Sequence, residues 1–127
     1  MIVGIGTDIV QLQRIKRLWL RFGERFAKKI LAPSELISLA SKKDPVAFLA
    51  KRFAIKEAAA KALGLGFREG LSWSHISISH DAFGKPQLIL SEHALHQAQQ
   101  LGVNQQHITV SDEQEYAVAF VVLEKVG

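Results

Sequence analysis

Residues 45–64, PVAFLAKRFAIKEAAAKALG, restrict the folds open to this chain more than any other stretch. Asp44-Pro45 is a strong helix start, an N-cap acceptor followed by proline in the first turn, and Gly64 is a natural stop. The helix predicted between them, Pro45 to Leu63, is too apolar to lie on a surface. From Val46 to Leu63 only Lys51, Arg52, Lys56, Glu57 and Lys61 are charged. A chain of 127 residues builds one core, so this helix belongs at the centre of a single domain spanning 1–127. It must also accommodate its carboxylate. Phe53 stands one turn before Glu57 and Ala58–Ala60 follow it, surroundings apolar enough to bury part of that side chain. A buried, unpaired carboxylate costs several kcal/mol or takes up a proton, so a cation must compensate it. Lys61, four residues on and on the same face, is one candidate, and a metal is another. A plain surface pair between Glu57 and Lys61 would be worth only about 0.3–0.5 kcal/mol.

An alanine-rich helix packs closely on a strand that lacks side chains. Ile2–Val10 reads as such a strand: Ile, Val and Thr dominate it, and two-residue periodicity puts Gly4, Gly6 and Asp8 on one face. It is expected to be a central strand with Asp8 at its end. On its own, Asp8 would be a turn or cap residue. Packing the helix on the glycines would instead bring Asp8 and Glu57 together. Two nearby carboxylates repel unless they share a proton or a cation. A few hard oxygen ligands suit Mg²⁺, which keeps waters and takes further ligands from substrate phosphates.

The remaining pattern is α+β with largely antiparallel strands. Leu12, Ile15, Leu18, Trp19 and Phe22 form a helical stripe over Gln11–Phe22, and a further helical stretch runs past Gly23 to Leu31. Pro33-Ser34-Glu35 opens a short helix to about Lys42. Gly66 and Gly70 predict a mobile or tightly turned loop. Ile76–Ser79 and Gln87–Leu90 are expected as partner strands around Phe83-Gly84-Lys85-Pro86. Ser91 is placed to cap a helix to Leu101, ended by Gly102, and Ile108–Ser111 and Tyr116–Leu123 close the chain as strands.

Several classes of function are excluded. There are no cysteines, so disulfides, thiolate zinc sites and a cysteine nucleophile are out, and a reducing compartment fits. MIVGIGTDIV lacks the basic leader of a signal peptide, and no stretch approaches the roughly 18–20 apolar residues of a membrane span, so a cytoplasmic protein without a membrane partner is expected. His93 and His96 have no third ligand nearby. Neither a Walker A loop nor a Gly-x-Ser-x-Gly elbow occurs. The net charge of +4 is concentrated: seven basic residues between Arg14 and Lys29 face Glu24 alone, and the rest of the chain is slightly acidic. Such a patch implies an acidic partner. A non-catalytic module binding nucleic acid is the rival from another class. It would use the basic helix, but it has no use for Asp8, Glu57 and Lys61, and no recognised nucleic-acid module accompanies the patch.

Taken together, Gly4-Ile5-Gly6-Thr7-Asp8-Ile9, Phe48 through Ala58 (FLAKRFAIKEA), Lys61-Ala62, Gly84-Lys85-Pro86 and the closing Tyr116-Ala117 resemble the holo-acyl-carrier-protein synthase family, the short 4′-phosphopantetheinyl transferases of fatty-acid synthesis. The resemblance runs almost end to end. It implies a 4′-phosphopantetheinyl transferase-like fold, with a largely antiparallel sheet packed on a long central helix, assembling as a homotrimer with active sites between subunits. The implied reaction moves phosphopantetheine from coenzyme A to a serine hydroxyl of an acidic apo acyl carrier protein. Carried over by residue, Asp8 and Glu57 would hold Mg²⁺, and Lys61 would complete the catalytic set. Arg52, Lys61, Gly84, Lys85, Pro86 and Ser111 would contact coenzyme A. Arg14, Arg17, Leu18, Arg21 and Arg25 would dock the carrier. One departure stands out: the family's histidine before the last strand corresponds to Asp112 here, with Ser111 or His107 as the nearby substitutes.

Overall fold

A computed structural model describes residues 1–67 and 70–127. In chain order the elements are β1 (Ile2–Gln11), α1 (Leu12–Phe22), α2 (Glu24–Ile30), α3 (Pro33–Ala40), α4 (Pro45–Ala62), a 3-10 turn (Trp73–His75), β2 (Ile76–His80), β3 (Pro86–Leu90), α5 (Glu92–Leu101), β4 (Gln105–Asp112) and β5 (Tyr116–Glu124). The helix expected at Pro45–Leu63 is α4, capped by Asp44, whose Oδ1 accepts the Ala47 N–H at 3.0 Å. Twelve of its eighteen residues are buried, so every face but a narrow one meets protein.

The glycine face of β1 lies on α4 at backbone contact. A Cβ at Gly4 would fall on the Ala62 carbonyl oxygen, and one at Gly6 on that of Ala58. The absence of side chains at both positions therefore sets the helix–strand distance, and with it the height at which Asp8 meets the last turns of α4.

Among the described residues two sheets form, both antiparallel: β1-β5-β4 and the hairpin β2-β3. The expectation that β1 is central is corrected, because β5 is the middle strand and β1 an edge. The glycines of β1 answer to the close helix rather than to neighbours on both sides. Ala117, Ala119, Val121 and Leu123 of β5 supply the buried row beneath α4. Asp8 is also an interior residue of β1, paired with Ala119, not its terminus. The opposite face of this sheet is apolar and open: Ile5 is 59%, Ile9 64% and Phe120 39% exposed.

Strand ends run one to three residues beyond the sequence reading, and the turn at Trp73–His75 was not expected. Ser91 makes no side-chain cap, and α5 ends at Gly102 in the left-handed region (φ 76°). The loop read between Gly66 and Gly70 lies partly outside the described residues. Among the described residues no helix is long and apolar enough to cross a membrane.

Candidate active site

Asp8 and the α4 carboxylate meet because β1 and α4 pack so closely. Lys61 Nζ donates to Asp8 Oδ1 at 3.2 Å and to the Thr7 carbonyl at 2.9 Å. The i,i+4 pairing of Glu57 with Lys61 does not form; Lys61 reaches across to β1 instead. Glu57 stays half-buried and without an ion-pair partner among the described residues. Burial pushes its carboxyl above the usual range, the charge of Asp8 pushes it further, and Lys61 and Arg14 pull the other way. The second oxygen of Asp8, Oδ2, is buried with no hydrogen-bond partner.

An orphaned carboxylate oxygen beside a second, repelled carboxylate is an arrangement a hard divalent cation relieves. The donor set fits Mg²⁺ on one condition. Among the described residues no group of three or more His, Cys, Asp or Glu side chains surrounds one point. Among the described residues two carboxylates come together, so waters and phosphate oxygens would have to complete the shell, as Mg²⁺ commonly allows.

A pocket of about 430 Å³ opens onto Glu57. Phe22, Phe26, Phe53 and Trp73 give it an aromatic lining, and Arg14, Arg25 and Lys29 give it a cationic rim. Trp73 lies between two rings, stacked on Phe53 at 5.1 Å and on Phe67 at 3.9 Å between centroids. Arg14 stands over the outer face of Phe53, 5.5 Å from its centroid. A larger groove of about 680 Å³ beside Arg17, Asp44 and Tyr116 contains neither carboxylate.

The expected docking residues divide between these places. Arg14, Leu18 and Arg25 line the pocket beside Glu57, Arg17 faces the larger groove, and Arg21 lies over the ring of Phe22. Of the expected coenzyme A residues Lys61 is at Asp8, and the others are not gathered there. Lys85 and Pro86 line a separate small groove with Asn104–Gln106, and Gly84 is in the β2–β3 turn. Ser111 sits opposite Val118, in the row next to Asp8–Ala119–Val110, so alternation points it out of the far side of the sheet. Arg52 is turned inward: its Nε lies 3.0 Å from Glu35 Oε2, an ionic contact not aimed as a hydrogen bond, and its guanidinium covers the ring of Phe48. For phosphate it retains only its terminal nitrogens. Asp112 pairs with Lys51 at 3.8 Å, and His107 is held by Glu124 at 2.6 Å.

Sequence reasoning missed Glu35. It is 2% exposed and accepts from Ala32 N, Ile78 N and the Lys56 ammonium while pairing with Arg52. Pro-Ser-Glu reads as an ordinary helix start, and Glu35 does reach back to the Ala32 N–H as helix-start glutamates do. Nothing in that pattern shows that the same side chain would bind two cations. The pocket aromatics left one signal, Phe53 a turn before Glu57.

The family model of the 4′-phosphopantetheinyl transferase superfamily matches residues 4–121. The holo-[acyl-carrier-protein] synthase of Vibrio cholerae serotype O1 (strain M66-2) is 50% identical over 125 residues, 98% of this chain and 99% of that one. The crystal structure of the Neisseria meningitidis holo-[acyl-carrier-protein] synthase superposes with a TM-score of 0.90 at 48% identity, covering 98% of this chain and 100% of that chain. That of the Bacillus anthracis holo-(acyl-carrier-protein) synthase, in complex with CoA (3′,5′-ADP), does so at 0.83 and 37%, covering 99% of each.

Proposed function

The chain belongs to the 4′-phosphopantetheinyl transferase superfamily, and from that membership we infer that it carries out the holo-acyl-carrier-protein synthase reaction. The 4′-phosphopantetheine arm of coenzyme A moves to a serine hydroxyl of apo acyl carrier protein, and 3′,5′-ADP leaves. The observation that carries this reading is the meeting of Asp8, Glu57 and Lys61, with Glu57 also lining a cation-rimmed pocket. Phosphoryl-type transfer asks a protein mainly for positioning and charge stabilisation, and these groups supply both.

Asp8 Oδ2 and Glu57 are the groups that would hold Mg²⁺. A divalent cation bound there would supply charge neutralisation for the diphosphate of coenzyme A. Lys61, fixed by Asp8 and the Thr7 carbonyl, stabilises the charge left on the departing phosphate. Glu57, directly or through a metal-bound water, would take the serine proton. Arg14, Leu18 and Arg25 at the pocket rim, with Arg17 and Arg21 along α1, dock an acidic carrier, and the encounter weakens as salt rises.

Asp8 and Ser111 lie on opposite faces of one sheet, which supports a coenzyme A site shared between chains. We place Arg52, Gly84, Lys85, Pro86 and Ser111 at the site of a neighbouring copy in a homotrimer. The open row of Ile5, Ile9 and Phe120 supports that assembly as a surface for copies to share. The whole chain, 1–127, is then one catalytic domain acting in cytoplasmic fatty-acid biosynthesis.

The test is incubation with coenzyme A, Mg²⁺ and apo carrier protein, read by mass spectrometry. The expected product is carrier protein heavier by one phosphopantetheine. An unmodified carrier sinks the reading.

A further inference from the structure

Lys56 takes no part in the chemistry above, yet it is a fully buried ammonium, 0% exposed. Its three N–H donors have three acceptors: the Ile30 carbonyl at 2.6 Å, Glu35 Oε1 at 2.6 Å and the Trp73 carbonyl at 3.2 Å. Burial pushes its pKa down against the pull of Glu35. Apolar side chains of similar volume in place of the whole buried network would avoid desolvating its charges, so stability is a weak reason for an ion pair here.

What the ammonium holds is one wall of the pocket. Ile30 and Trp73 both line the space that opens onto Glu57, and both are gripped through their backbone carbonyls. Ile30 ends α2, whose last carbonyls have no helical partner. Trp73 lies in the short turn before β2, and its ring stacks on Phe53. Lys56 and Glu57 are consecutive on α4, about 100° apart around the axis, so one points into the core as the other faces the pocket. Glu35 adds a second tier, accepting from Ala32 N and from Ile78 N on β2.

We propose that Lys56, backed by Glu35, is a positioning residue for transfer: it fixes the α2 and Trp73 wall of the pocket relative to Glu57. This rests on the transferase reading above. The wall determines how a substrate chain approaches the carboxylate, while the Asp8–Lys61 side that would hold the diphosphate does not depend on it.

The test compares Lys56→Met with the double variant Lys56→Met/Glu35→Gln. The double variant removes the carboxylate but leaves Arg52 buried without it, and its single amide oxygen can accept from Ala32 N or from Ile78 N but not both, so it is expected to be no more stable than the single variant. Its transfer should not recover either. With both proteins assayed well below their melting temperatures, kcat/KM is expected to fall about 10- to 100-fold in each. Affinity for 3′,5′-ADP with Mg²⁺, read by calorimetry, should stay within about twofold of wild type. Full recovery of transfer in the double variant overturns the proposal, as does a loss of 3′,5′-ADP affinity in step with transfer. An inactive wild-type protein overturns the transferase reading and this inference with it; an active wild type matched by the double variant overturns this inference alone. Should Lys56→Met not fold, Lys56→Gln, which keeps an N–H donor, enters the same comparison.

Discussion

Two charged centres share helix α4, on adjacent residues, and they are built in opposite ways. Around Lys56 the chain supplies all three partners of the ammonium itself, and Glu35, which binds it, also pairs with Arg52 and accepts two backbone N–H groups, with its side chain about 1% exposed. Around Glu57 the chain stops short. Lys61 satisfies one oxygen of Asp8, the other oxygen is buried and unpartnered, and Glu57 is held above its usual pKa by burial and by Asp8. A closed centre contributes to the fold and to its geometry. An open one is less favourable in the free protein and becomes favourable when something else enters. Placing the two on consecutive residues sets Glu57 beside an ammonium whose three donors are all bonded.

Exchanging the charge in each centre separates those roles. Glu57→Gln should reduce turnover by about a thousandfold, the upper end of what losing one electrostatic group costs. It should leave the melting temperature unchanged or raised, because a repelled carboxylate is gone; a modification time course and a thermal melt check both halves. Glu35→Ala should do the reverse in stability. Removing one partner of a buried ion pair costs about 3–5 kcal/mol, visible as a lower midpoint in urea unfolding. If Glu57→Gln destabilised as much as Glu35→Ala, the two centres would not differ in kind.

How far the sequence reveals these centres follows the same division. The open one was legible because its parts are anomalies: a carboxylate in an alanine run, two glycines in a strand, and an aspartate two residues after the second glycine. Periodicity joined them, and the close contacts at Gly4 and Gly6 are its structural counterpart. The closed centre was not legible. Glu35 lies in an ordinary helix start, and its link to Lys56 spans 21 residues with no local pattern to announce it. The strand order was hidden for a related reason, since glycines report a close neighbour without saying whether it is a helix above or a strand beside. The separation of Ser111 from Asp8 needed the observed register, because a single-residue shift in pairing would have put both on one face.

Gly6→Ala tests whether the open centre depends on backbone contact. Its methyl would have to displace the Ala58 carbonyl, and such overpacking costs about 1–3 kcal/mol. The larger consequence is positional: β1 and α4 move apart, and Lys61 no longer reaches Asp8. Turnover should fall by more than the stability loss explains when measured at a temperature where the variant is fully folded. Wild-type turnover there would mean that Asp8 is placed by something other than the glycine face.

A third carboxylate isolates burial from closure, with the smallest expected effect. Asp81, at the surface turn of the β2–β3 hairpin, accepts the N–H groups of Phe83 at 2.8 Å and Lys85 at 2.9 Å. The bond from Lys85, then that from Phe83, hold its carboxyl below the usual 3.8. A depressed carboxylate contributes fully above its unfolded pKa, and the contribution disappears as pH falls through the lowered value. Amide exchange at Phe83 and Lys85 should therefore show a protection step on the acid side of 3.8 that Asp81→Asn removes. The same substitution should barely move the melting temperature at neutral pH, because water can replace the carboxylate at the surface. That is the contrast with Glu35: the acceptor role is alike, but only Glu35 leaves buried cations behind when it is removed. A drop for Asp81→Asn as large as that for Glu35→Ala would show that hydrogen-bond closure, not burial of charge, distinguishes the two centres of α4.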